Sequence, residues 1–125
     1  MISISWAYGP ESENQAVRIL VDRLWPRGLS KERLKVDIWM REIAPSEELR
    51  KWFAHEAAKW DDFKKRYFSE LDENPRTEEL LRLCRGKDVV FVFSAKNQQN
   101  NNAIALNLSF AKNTGRKFTL KPINP

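Results

Sequence analysis

Asp88-Val89-Val90-Phe91-Val92-Phe93-Ser94 is a run of five apolar residues closed by a polar residue at each end. Odd and even positions are equally apolar, and all five side chains are β-branched or aromatic. Such a segment is a strand covered on both faces, the kind found in parallel sheets flanked by helices. Val17-Arg18-Ile19-Leu20-Val21-Asp22 has the same character apart from Arg18. Two such strands, with helical spacing between and after them, describe an α/β domain.

The rest of the chain fits around this pair. Ile2 to Tyr8 alternates as a short strand, and Gly9 to Gln15 is a polar loop. Leu34 to Ile43 carries Val36, Trp39, Met40 and Ile43 at i, i+3, i+4 and i+7, which predicts a short helix ended by Pro45. Ser46 is an N-cap, with Glu47 and Glu48 well placed against the helix dipole. Leu49, Trp52, Phe53, Trp60, Phe63, Tyr67 and Leu71 then form one apolar stripe at three- and four-residue spacing. So regular a stripe reads as core packing rather than a base-stacking platform. Asn74 and Pro75 open a further helix that runs to Cys84 and closes at Gly86. Ile104, Leu108 and Ala111 mark a last helix ended by Gly115, and Lys117 to Leu120 reads as an edge strand. The expectation is one compact three-layer α/β domain over residues 1–110. It has a mostly parallel sheet and about five helices, followed by a basic segment at 111–125.

Composition narrows the functional classes. The chain has 125 residues, enough for a core that needs no metal or disulfide support. Its single cysteine, Cys84, excludes an internal disulfide framework. No apolar run approaches the roughly 20 residues needed to span a bilayer, and no signal-peptide core precedes the first strand. A cytoplasmic protein without a membrane partner is expected. The net charge of +5 is concentrated at one end, where Lys112, Arg116, Lys117 and Lys121 stand without an acid. Removing these four from the 22 basic residues leaves 18 against 17 acids. Such a tail permits nucleic-acid contact by charge alone, but no helix-turn-helix or RNA-binding signature accompanies it.

Chemistry is concentrated just beyond the second strand, in Asp22-Arg23-Leu24-Trp25-Pro26-Arg27-Gly28. Ligands of α/β proteins bind at the carboxyl ends of the strands. If the strands ending at Val21 and Phe93 are parallel neighbours, their loops share one edge. Arg23, Arg27 and Lys96 would then surround the start of the last helix, where free N–H groups favour an anion. Trp25, Ser94, Asn100 and Asn101 would complete a pocket of phosphate or carboxylate size. Asp22, flanked by cations expected to depress its pKa, is the candidate base or nucleophile. Each residue also has a structural reading. Asp22 would pair with Arg23, Arg27 or backbone amides, Trp25 would plug the sheet edge, and Asn100 and Asn101 would cap the helix.

The block from Asp22 to Lys31 is followed in order by Trp39, Ala44-Pro45-Ser46, Leu49-Arg50 and Trp52-Phe53-Ala54-His55. Trp60, Phe63, Arg66-Tyr67 and Glu70-Leu71 continue the series. Together these resemble the YeaO-like branch of a bacterial domain-of-unknown-function family, number four-eight-eight. The resemblance spans roughly residues 1–110 and implies a Rossmann-like sheet, without an activity, substrate or cofactor. It also sets a pattern of Ala-Lys-Asp, two variable residues and His-Asn after Ser94. Here Asn97 and Asn100 replace the acid and the histidine, while Asn101 is kept. The pattern at His55 is His-Asp-Pro, which breaks the helical stripe; this chain has His55-Glu56-Ala57. Metal ligation at the pocket lacks imidazole and thiol, and no cofactor is expected. Three functions remain: binding of a small anionic molecule, an enzyme working through Asp22, or an interaction module using the basic segment.

Overall fold

The computed structural model describes residues 1–10, 15–54 and 56–111. Four strands, β1 (Ile2–Trp6), β2 (Val17–Leu20), β3 (Ile38–Trp39) and β4 (Val89–Phe93), form one sheet in the order β1-β4-β2-β3. Every pairing is parallel, with Ile2 opposite Val89, Val17 opposite Val89 and Ile19 opposite Ile38. β4 has a strand on each side and is buried along its whole length, as its uninterrupted apolar run requires.

Period-two alternation divides the strand side chains between two cores. Val89, Phe91, Phe93, Ile19 and Val21 enter the larger one, together with residues of α2 (Glu47–Phe53), α3 (Trp60–Glu73), α4 (Pro75–Cys84) and α5 (Asn102–Ala111). Leu20, Val90 and Val92 face the other side. There a thin layer of α1 (Lys31–Leu34), Trp25, Leu29, Val36 and Trp39 covers them. The three-layer α/β architecture therefore holds, with its helices distributed unevenly. α5 includes Ala111, the first residue of the segment expected to be a tail.

Local capping follows the sequence. The Ser46 hydroxyl accepts from Leu49 N at α2, and the Asn74 side chain accepts from Arg76 N at α4, with Pro75 in first position. Glu70 of α3 accepts from both the amide and the hydroxyl of Ser46, which joins α2 to α3. The aromatic stripe also breaks where the resemblance implied. Ala54 ends α2 in the left-handed region at φ 46°, and a 3-10 turn at Ala57–Lys59 precedes α3. Phe53, Trp60, Phe63 and Tyr67 nevertheless form one continuous ring series across that break. His55 itself, Gly115 and the expected strand at Lys117 to Leu120 lie outside the described residues.

The helix expected over Leu34 to Ile43 is a correction. The chain there forms the end of α1, the strand β3 and a 3-10 turn at Arg41–Ile43. Lys35 turns into the left-handed region at φ 54°, and Asp37 N and Met40 N donate to the Arg18 and Leu20 carbonyls of β2. The apolar residues satisfy both periodicities in so short a span, and sheet pairing prevails. Arg18 is accommodated in a buried strand because its guanidinium donates to the Lys35 and Leu34 carbonyls at the end of α1.

Cys84 lies on the inner side of α4 and is 8% exposed. Burial pushes its thiol up to about 11. Two units above the ordinary value leaves roughly a hundredfold less thiolate at neutral pH. Native protein should therefore react slowly with an aromatic disulfide reagent at pH 7.5, and urea-unfolded protein rapidly. Rapid labelling of native protein would contradict this burial.

Candidate functional site

β2 and β4 lie side by side, and the connections leaving them diverge. The chain after β2 passes to α1 on the thin face, whereas the chain after β4 enters α5 on the thick one. Adjacent strands with divergent connections open a crevice at their carboxyl ends, the usual ligand position in such sheets. A cavity of about 330 Å³ occupies this place, with Asp22, Arg23 and Ser94 in its wall.

Asp22 stands one residue beyond Val21, whose amide still donates to Val92 O. Its Oδ2 accepts from the Ser94 amide at 2.9 Å and from the Ser94 hydroxyl at 2.6 Å. Its Oδ1 accepts from Asn102 Nδ2 at 3.0 Å, and the same amide group reaches Val21 O at 3.1 Å. One carboxylate thus ties the ends of two strands to the first residue of α5. Burial raises its pKa above the ordinary value, opposed by the hydrogen bonds from the Ser94 hydroxyl, the Asn102 amide and the Ser94 backbone. The expected depression by neighbouring cations is therefore corrected. Among the described residues no cation lies within ion-pair distance of Asp22, so desolvation governs its titration.

Arg23 is fixed to carbonyls instead. Its Nη2 donates to Ala44 O and Pro45 O, each at 3.2 Å, with Nε at 3.4 Å from Pro45 O. That loop is held in turn by the buried Tyr67, whose hydroxyl donates to Ile43 O at 2.6 Å. Neutral partners leave the guanidinium charge uncompensated. Arg27 and Arg50 line the same cavity, and among the described residues no carboxylate lies within 4 Å of any of the three. Glu47, exposed on α2, feels this field: its pKa is lowered chiefly by Lys51, with Arg50 and Arg23 adding to the effect.

Several residues chosen from sequence take other places. Trp25 borders the cavity, but its indole N–H donates to Leu29 O at 2.6 Å and its ring packs edge-on to Trp39. Asn101 also borders the cavity but is engaged in capping α5: its Oδ1 accepts from Ile104 N, its Nδ2 donates to Asn97 O, and it is 2% exposed. Lys96 is exposed, and neither it nor Asn100 lines the cavity. The cause is Asn97, whose side-chain oxygen accepts from Gln99 N and Asn100 N and turns the chain away. An aspartate oxygen would serve that turn equally well. The amide at this position therefore keeps the loop while removing a charge.

Arg50 and Asn102 were missed in the sequence. Arg50 stands three residues before the core residue Phe53 on α2, and this i, i+3 relation aims it at the same cavity. Asn102 lies in the visible asparagine run, but its place as first residue of α5, just after the cap Asn101, is what brings it to Asp22 and Val21 O.

An α/β domain with a polar cleft between its two central strand ends has thus been defined. Residues 1–119 match the family model described as the inactive DUF488-N3 subclade, and the chain belongs to the DUF488 family. It is 39% identical over 100 residues to "Uncharacterized protein YeaO" of Escherichia coli (strain K12), covering 79% of this chain and 87% of that protein. It is 37% identical over 89 residues to "Uncharacterized protein Rv3073c" of Mycobacterium tuberculosis, covering 71% and 75% respectively. No solved structure matches it significantly. Among the described residues, no helix is long and apolar enough to cross a membrane.

Proposed function

We propose that this protein binds a small molecule bearing a phosphate or carboxylate group, held in the cleft by Arg23, Arg27 and Arg50. One observation carries the reading. Three guanidiniums without a carboxylate partner among the described residues line a cavity whose single acid, Asp22, has both oxygens engaged. Planar, multidentate guanidiniums suit such a group. Lys96 and Asn100, away from the cavity, drop out of the contact set, and Arg50 enters it. A cytoplasmic setting belongs to this reading, supported by a lone thiol that is buried and unpaired.

Binding is favoured over catalysis because the hydrogen bonds to Asp22 serve to join β2, β4 and α5. Neutral amides stand at 97 and 100, and the matched subclade is described as inactive. The burial-raised carboxyl of Asp22 supports the second reading, a general acid or base. Activity unchanged in Asp22→Asn against any substrate found would remove that assignment. The basic segment, almost wholly outside the described residues, adds nothing to either reading.

Arg27 and Arg50 are exposed, so alanine at either should alter stability by no more than about 0.5 kcal/mol. Thermal-shift measurements with phosphate and carboxylate compounds should show protection of the wild type that is reduced at least fivefold, in apparent affinity, by each substitution. Protection retained in full by both variants would refute the site.

A further inference from the structure

The cleft is larger than its charge requires. At about 330 Å³ it holds roughly ten times a water's share of liquid volume, and an isolated phosphate or carboxylate fills a small part of it. Most of its polar groups are already engaged within the protein: Asp22 with Ser94 and Asn102, Arg23 with the 44–45 carbonyls, and the Trp25 N–H with Leu29. What is left for a ligand is a set of cationic groups and an apolar wall.

Two side chains on that wall are large, apolar and exposed. Leu24 is 65% exposed and Tyr8 43%. Tyr8 is held rigidly, since its hydroxyl donates to Arg27 O at 2.8 Å and its ring packs edge-on to Trp6 at 5.5 Å. A fixed aromatic ring is thereby tied to the backbone of one of the three arginines. Phe53 and Phe63, stacked at 4.3 Å, also border the cavity. Exposed apolar groups grouped around a concave site mark ligand contact, and aromatic walls favour flat rings.

Building on the anion-binding reading, we propose that the ligand is an aryl phosphate or aryl carboxylate in chemical class. Its anionic group meets Arg27 and Arg50, and its flat ring rests against Tyr8 and Leu24.

Isothermal titration calorimetry of the full chain compares phenyl phosphate with inorganic phosphate, and benzoate with acetate. The ring-bearing member of at least one pair should bind tenfold or more tightly than its bare counterpart, and the stronger pair identifies the anionic group. Leu24→Ser should cut that advantage to threefold or less and leave the bare anion's affinity unchanged, whereas Arg27→Ala should weaken both members. Equal affinity within both pairs, with binding lost in Arg27→Ala, would overturn the aryl proposal and leave the anion site standing. An absence of binding by all four probes would overturn both.

Discussion

Tyr67→Ala should lower the free energy of unfolding by about 3–5 kcal/mol, measured by urea denaturation. Tyr67 is 1% exposed, lies in the ring series with Phe63 and Phe53, and sits under the loop that anchors Arg23. Removing the ring opens a cavity in the larger core and frees Ile43 O from its only side-chain donor among the described residues. A domain of this size has about 5–15 kcal/mol in all, so the variant should be close to unfolding at 37 °C. Tyr67→Phe separates the two contributions. It keeps the ring, loses the hydrogen bond and should cost about 1–2 kcal/mol. It should also loosen the carbonyls that hold Arg23 and so weaken anion binding more than its stability loss alone explains. Equal stability of Tyr67→Ala and wild type would mean that α3 does not pack as described.

Asp22→Asn should cost about 1–3 kcal/mol at pH 7, because an amide cannot accept at both oxygen positions. If its oxygen keeps the two donors of Ser94, its NH2 group faces the NH2 of Asn102, and turning Asn102 forfeits the bond to Val21 O. The pH dependence has a definite sign. Since burial raises the folded pKa of Asp22, the folded state binds this proton more tightly than the unfolded chain. Its contribution is fully present below the ordinary carboxylate value and is lost as pH rises through the folded value. The stability gap between wild type and Asp22→Asn should therefore be larger near pH 4 than at pH 7. A gap that widens toward neutral pH would indicate that charge pairing, rather than burial, governs this carboxyl.

The two kinds of residue error in the site have one origin. Asp22, Arg23 and Arg27 were legible because strand β2 is apolar apart from Arg18 and ends abruptly, which places the following polar residues at the sheet's carboxyl edge. Ser94 follows from β4 by the same logic. Arg50, by contrast, shares a helix face with Phe53, but only the packing of α2 in the folded domain brings that face to the cleft. Lys96 was drawn in by closeness to Ser94, although the Asn97 turn leads the chain elsewhere. Asn101 caps α5, as its structural reading has it, and Asn102 bridges to Asp22 instead because one residue along a helix rotates a side chain by about 100°.

Local pattern by itself determined much of the fold. Five apolar residues at Val89 to Phe93 demand burial on both faces, and Ser46 and Asn74 each satisfy free amides within their own helix start. These outcomes depend on interactions between residues a few positions apart, or on a burial requirement that any α/β arrangement would meet. β3 was decided elsewhere. Trp39 belongs to a helically spaced series in sequence, yet with Ile38 it becomes a strand because β2 supplies an open edge of N–H and C=O groups. The cleft was likewise decided by tertiary structure. Only the order β1-β4-β2-β3 places Asp22 beside Ser94, 72 residues away, and only the packing of α2 sets Arg50 in the same cavity. Contacts of that range depend on which strands are neighbours, a choice made by the whole core at once.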